Sequence, residues 1–234
     1  MAHLTPIAFG MHRALSLPAI GCLGSVLVTC AVYFISSKWK GLKITSILLT
    51  GVMFSFICSS LIMLILSVSR AYQAHRIIFW MMGSLSENNP AVLAAVSAVI
   101  LTVSGFSIAN ARTLNAISLG EEEAMHLGVD MQKAKAGFFI LSSVLAGAAV
   151  SVSGIIGFVG LVVPHFIRMF AGSDHRILMP ASFLLGGIFL VICDTIARTA
   201  VAPVELPVGV ITGILGGSIF VYFLIKGRQV IWKK

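Results

Sequence analysis

Few side chains in this sequence could do chemistry, and their spacing narrows what that chemistry can be. Four of the eight acidic residues, Glu121, Glu122, Glu123 and Asp130, share one polar stretch, Ser118 to Lys135. No H-E-x-x-H, G-x-S-x-G or G-x-x-x-x-G-K-[ST] pattern occurs. The sequence therefore offers no zinc-hydrolase site, no nucleophile elbow and no phosphate loop. Without that loop the chain does not bind ATP in the usual way, and any energy it uses comes from another subunit. Cys22, Cys30, Cys58 and Cys193 all lie inside apolar runs and form no C-x-x-C pair. They read as small buried hydrophobes rather than as metal ligands or disulfides. The pattern predicts no catalytic residue, no metal site and no cofactor held by this chain.

Four charged or titratable residues that fall in or beside apolar runs stand out. Asp194 and Arg198 stand four apart in LVICDTIARTA, the favourable acid-before-base order for a pair on one helix. Two readings stand: an intrahelical ion pair, or an Arg198 that faces outward to receive an acidic partner. A charge inside a spanning segment is a functional candidate by default. Glu205 precedes Pro207 in VELPVG, where a helix starts and its dipole favours negative charge. His165 follows Pro164 in a short apolar run, and a lone histidine there reads as structural.

The polar stretch carries its own helix signals. Ser118 and Glu121 match the S-x-x-E capping box, and the three glutamates then fall in a first turn. Gly128 follows Leu127 and suits a left-handed stop. Asp130 suits the cap of a second short helix that carries Lys133 and Lys135. The spacing thus predicts two short helices hinged at Gly128, the first with Ala124, Met125 and Leu127 on an apolar side. Such a segment is either a solvated connection that happens to be helical or a docking element.

The elements that hold these residues are apolar. Hydrophobic residues make up 58% of the chain, charged residues 10%, and mean hydropathy is +1.03. Soluble domains usually carry about a quarter charged residues, so this is an integral membrane protein. A spanning helix needs roughly 20 apolar residues. The candidates are 17–36, 44–67, 91–109, 136–153, 156–170, 179–199 and 207–225, about seven in all. The fifth is short and broken by Pro164, which predicts shelter among neighbouring helices. Residues 77–84, with Trp80, are too short to span and read as an interfacial or re-entrant helix. The first apolar run has neither a basic segment directly ahead of it nor a small-residue cleavage site.

Loop charges predict orientation. Twelve of the sixteen lysines and arginines lie on one side: Lys38, Lys40, Lys43, Arg112, Lys133, Lys135, Arg168, Arg176, Lys226, Arg228, Lys233 and Lys234. Arg13, Arg70, Arg76 and Arg198 lie on the other. This places the polar stretch and the C-terminus in the cytoplasm and the N-terminus outside. The net charge of +8 suits contact with anionic lipid, and no basic stripe interleaved with aromatics suggests nucleic acid. Gly209, Gly213 and Gly217 recur every four positions, and Gly154, Gly157 and Gly160 cluster at a tight hairpin. Both rows predict close helix packing.

Four stretches carry a resemblance: FWMMGSL (79–85), LGEEEAMHLGV (119–129), SGIIGFVGLVVPHFIRMFAGSDHRILMP (153–180) and CDTIARTAVAPVELPVGVITGILGGSIFVYFLIKGR (193–228). They resemble the FecCD-type permeases, membrane subunits of bacterial ATP-binding-cassette importers for iron–siderophore complexes, haem and cobalamin. The resemblance covers most of the chain, more weakly from about residue 15 to 70.

The resemblance implies an all-α polytopic membrane protein, the C-terminal part of a ten-helix permease fold, with residues 1–234 as one permease domain. It implies that 118–135 forms coupling helices that dock on a cytoplasmic ATPase subunit through Gly120, Glu121, Glu122, Glu123, Ala124, Leu127 and Gly128. ATP and Mg would sit on that partner. It implies that Arg198 receives a glutamate of an extracytoplasmic substrate-binding protein. It implies a pair of permease copies, most simply a homodimer, around a pathway lined by 44–67 and 207–225. The location implied is a bacterial or archaeal cell membrane. Family members have about ten spans, and this chain opens partway through the third by that pattern. That leaves a non-transporting truncated permease as one alternative and a seven-span receptor-like protein as another. The cargo stays open among siderophore, haem, cobalamin and oxyanion.

Overall fold

The computed structural model describes the backbone of residues 4–37 and 44–231, and side chains over 20–36, 46–223 and at Ile225. Ten helices run in order among the described residues: α1 (Leu4–Ser37), α2 (Ile44–Val68), α3 (Ala71–Met81), α4 (Pro90–Ala109), α5 (Ala111–Ser118), α6 (Glu121–His126), α7 (Met131–Ser153), α8 (Val159–Ala171), α9 (His175–Thr199) and α10 (Val208–Ile231). The fold is all-helical. Lys38, Lys40, Lys43, Lys233 and Lys234 of the loop-charge argument lie outside the described residues, as do the side chains of Arg13, Lys226 and Arg228.

Length and composition let four helices cross a membrane: Ser46–Val68, Pro90–Ala109, Met131–Ser153 and His175–Thr199. Three shorter apolar helical stretches, Ile20–Ser36, Val159–Ala171 and Val208–Phe223, match the remaining candidates. Several helices start earlier than hydropathy predicts, because caps rather than apolarity set their ends. Asp174 Oδ1 accepts from Arg176 N at 2.9 Å, so α9 begins at His175 rather than 179. Asn89 Oδ1 accepts from Ala91 N at 3.0 Å, with Pro90 at the first helical position of α4. Hydroxyls within the helices return to the carbonyl four residues back, as Thr102 does to Ala98, Ser142 to Phe138 and Thr195 to Val191. That satisfies polar groups where no water is at hand.

The described chain forms two compact units, residues 1–78 with 87–152 and residues 79–86 with 153–234. In the first, α1 and α7 are held by an antiparallel row of small residues. A Cβ on Gly21 would lie 3.1 Å from Ser151 Cβ, and one on Gly147 would collide with the Ser25 side chain. Thr29 Oγ1 lies 2.6 Å from Ser143 Oγ, which in turn donates to Ser25 O at 3.1 Å. Gly21, Ser25 and Thr29 thus face Ser151, Gly147 and Ser143, each set four residues apart. Close backbone approach and interhelical hydroxyl bonds are what bind helices where the hydrophobic effect is absent.

In the second unit, α8 packs on α9 through Val163, Ile167 and Leu178, with Val159, Ala181, Leu185 and Phe189 around them. At 13 residues, α8 is about 20 Å long, short of the roughly 30 Å hydrocarbon core. Backbone meets backbone where residues 79–86 return: Ser84 N donates to Ser153 O at 2.9 Å. A Cβ on Gly154 would collide with Trp80 O, and one on Gly209 with Met82 O. The predicted row on α10 is corrected in part. Gly209 and Gly217 have close neighbours, but Gly213 has none within 4 Å among the described residues, and Gly216 packs on Phe158 instead. Val208 and Thr212 are buried on the same side. The packed stripe follows 209, 212 and 216, the true helical period, whereas a spacing of four drifts around the helix. Gly157 and Gly160 likewise have no close neighbour among the described residues.

Candidate functional site

The polar stretch folds into the α5–α6–α7 connection of the first unit. The capping box does not form. Ser118 is the last residue of α5, and its hydroxyl donates to Asn115 O at 2.7 Å. The break falls at Gly120, whose φ of 130° makes it the N-cap of α6 with no side-chain cap bond. A residue still in the preceding helix cannot adopt the extended backbone a cap needs. The Glu123 carboxylate instead folds back over Gly120, where a Cβ would collide with it.

The C-terminal end of α6 closes as the sequence implies. Gly128 has φ 82°. Its N–H donates to Met125 O at 2.9 Å, and Val129 N donates to Ala124 O at 3.0 Å. This pair of bonds is the Schellman closure, which needs the left-handed residue glycine supplies. Asp130 then caps the next helix: its Oδ1 accepts from Lys133 N at 3.1 Å, and its Oδ2 lies 3.0 Å from Lys133 Nζ. The Lys133 backbone N–H, then the Lys133 side chain, hold the Asp130 carboxyl below its usual range. That next helix is not short. It is the first turn of α7, which continues unbroken to Ser153, so the predicted pair of short helices becomes α6 followed by a spanning helix.

Lys135 was not singled out as a tether by spacing, yet it bonds Glu121 Oε1 at 2.7 Å and ties α6 to α7. Fourteen residues separate them, beyond any local pairing rule. Ala124 is fully buried, while Met125 and Leu127 are 54% and 65% exposed. The predicted apolar side thus divides into one anchor and two exposed side chains, joined by exposed Leu119. Glu122 and Glu123 are also exposed. Chemically this is a short, doubly anchored helix presenting carboxylates beside bare apolar groups, suited to seating in a cleft with a basic rim.

The second candidate lies in the other unit. Arg198 Nε donates to Asp194 Oδ2 at 2.8 Å in the last turns of α9, and the Arg198 side chain remains 42% exposed. The intrahelical pair therefore forms and still leaves the Arg198 side chain partly exposed. Ala197 beside it is buried and its carbonyl accepts from Leu206 N at 3.0 Å, which fixes the loop into α10. Glu205 is exposed in that loop. His165 lies among aromatics, 5.3 Å from Phe223 and 6.5 Å from Phe220 between ring centroids. Gly209 and Gly217 of α10 face Met82, Ile155 and Phe158 in their own unit.

Comparison with known proteins now adds identity. Residues 1–226 match the model of the FecCD transport family. The chain is 40% identical over 210 residues to the hemin transport system permease protein HmuU of Yersinia pestis, covering 90% of this chain and 63% of that protein. It is 36% identical over 231 residues to the cobalamin import system permease protein BtuC of Halobacterium salinarum, covering 95% and 62%. It also matches the solved inward-facing structure of a metal-chelate type ABC transporter, with TM-score 0.78 and 31% identity over 85% of this chain and 63% of that one. The chain thus spans a little under two thirds of the length of these relatives. The family match sets aside the seven-span receptor. With an all-helical fold, apolar spans and a match along nearly its whole length, the chain belongs to the FecCD transport family.

Proposed function

We propose that this chain acts as the membrane-spanning permease subunit of an ATP-binding-cassette importer, with residues 1–234 serving as one permease domain. It carries a metal chelate into the cytoplasm, driven by ATP hydrolysis on a separate subunit. The family match over 1–226 is the observation that carries this reading, and the relatives named for hemin and cobalamin support a metal chelate as the cargo. An iron–siderophore complex belongs to the same class of large metal chelates. The α6 segment is the coupling element, with Gly120, Glu121, Glu122, Glu123, Ala124, Leu127 and Gly128 meeting the ATPase on the cytoplasmic side of a bacterial or archaeal cell membrane.

The remaining partners follow from the same reading. Arg198, held by Asp194 with its side chain partly exposed, receives a carboxylate of an extracytoplasmic substrate-binding protein. A second permease copy completes the pathway, with α2 and α10 as its walls. The test is charge reversal on the exposed glutamates. Glu122→Lys with Glu123→Lys inserts normally and loses most cargo-stimulated ATPase activity. Unchanged stimulation in the double variant would contradict the coupling role of α6.

A further inference from the structure

Arg198 has two carboxylates of its own chain beside it, and they are placed differently. Asp194 is bonded: Arg198 Nε donates to its Oδ2 at 2.8 Å, one turn back on α9. The backbone beneath this pair is fixed, since Cys193 and Ala197, each one residue before a member of the pair, are 0% and 1% exposed. The bond uses one of the five N–H donors of a guanidinium, and the Arg198 side chain stays 42% exposed. Glu205 is exposed on the loop into α10. The bond from Leu206 N to Ala197 O at 3.0 Å folds that loop back against the end of α9. From there the Glu205 carboxylate acts on the arginine through space, without a hydrogen bond to it. Val201 and Val204 of the same loop are exposed too, so a protein surface seated here would shed water from around all three charges. All of these residues belong to one compact unit.

The two carboxylates have opposite effects on an acidic partner. Arginine is among the residues that lose most rotamer freedom when a contact fixes them. One already fixed by Asp194 gives up less when a partner binds, which is the gain of preorganisation. Its planar fork then meets an incoming carboxylate at a set angle. Asp194 carries a negative charge as well, but its bond to Arg198 compensates it. Glu205 gives no such hold, and its charge only repels. We propose that Asp194 is the positioning residue of the Arg198 docking contact and that Glu205 is its counterweight, so that the contact is well aimed yet weak enough to release. The intrahelical pair and the outward contact are therefore one device rather than alternatives. This inference rests on the reading that Arg198 receives a carboxylate of a substrate-binding protein.

Three substitutions that each remove one negative charge separate position from charge. The whole importer in nanodiscs, with its own substrate-binding protein as the probe, gives association and dissociation rates. Asp194→Ala is expected to weaken binding about ten-fold through faster dissociation, the size of a lost charge-assisted hydrogen bond. Asp194→Asn keeps an acceptor for Nε and is expected to bind at least as tightly as the parent. Glu205→Gln is expected to tighten binding about three-fold at low salt through faster association. That gain should vanish near about 1 M salt, where the Debye length falls to about 3 Å. Tighter binding by all three would overturn the proposal, since charge alone would then decide, and so would no change in any of them. Arg198→Lys keeps the charge and loses the fork, and is expected to weaken binding as Asp194→Ala does. Parent-like binding by Arg198→Lys would overturn the proposal even where Asp194→Ala fails to fold. Arg198→Gln tests the underlying reading separately: unchanged binding there would remove the docking role of Arg198 itself, and the proposal with it.

Discussion

Asp130 is the residue on which the start of α7 turns, and its chemistry sets a direction with pH. Its carboxylate is favoured by the Lys133 N–H and then by the Lys133 ammonium, so its folded pKa lies below the unfolded value. The stabilisation is fully present above the unfolded carboxylate pKa of about 3.9 and is lost as pH falls through the lower folded value. Amide exchange at Lys133 and Ala134, corrected for intrinsic pH dependence, is expected to quicken below about pH 4. It is expected to quicken at neutral pH in Asp130→Ala; unchanged protection there would remove Asp130 as the cap. Lys135→Gln frees Glu121 and loosens α6. The pair is partly exposed, so the expected cost is below about 1 kcal/mol. Spin labels on α6 should report greater mobility with little change in unfolding temperature. Asp130 and Gly128 were legible in the sequence because caps and left-handed stops act locally. Glu121–Lys135 was not, because a contact fourteen residues apart depends on how α6 turns back on α7.

At the scale of elements, hydropathy located the seven apolar helical stretches and the start of α2, but placed α7 and α9 several residues late, since polar first turns look like loop until a cap is recognised. Asp174 before α9 and Asp130 before α7 are the cases in point. Helix packing was legible only as a tendency. Glycine rows on α10 suggested contact, yet the packed positions are Gly209, Thr212 and Gly216, with Gly213 open. The close approach of α1 to α7 in the first unit is carried mostly by serine and threonine and gives no glycine row. Two paired substitutions test this packing in detergent unfolding. Gly147→Leu forces α1 off α7 and is expected to cost about 1–3 kcal/mol or more, whereas Gly137→Leu, open on the same helix, is expected to be nearly neutral. Gly209→Ala collides with the Met82 and Ile155 carbonyls and destabilises. Gly213→Ala meets nothing and is expected to stabilise by up to about 1 kcal/mol. Equal effects within either pair would contradict the packing described.

For the whole molecule, the membrane class was carried by composition, and the family by long polar-and-glycine stretches such as LGEEEAMHLGV and PVELPVGVITGILGG. Those stretches are distinctive because they hold the irregular parts of the fold: the Schellman turn at Gly128, the left-handed Gly154, and the close backbone approach at Gly209. Cargo identity is written nowhere comparable, since the stretches proposed to wall the pathway, 44–67 and 207–225, are apolar and carry no charged residue. The central claim is that a soluble ATPase seats on α6 and drives this chain. It is tested most directly by affinity purification of the chain from its native membranes in mild detergent, followed by mass spectrometry. The account predicts recovery of an ATP-binding-cassette ATPase in stoichiometric amount, lost when Glu122→Lys and Glu123→Lys are combined. Recovery of the chain without any such subunit would contradict it.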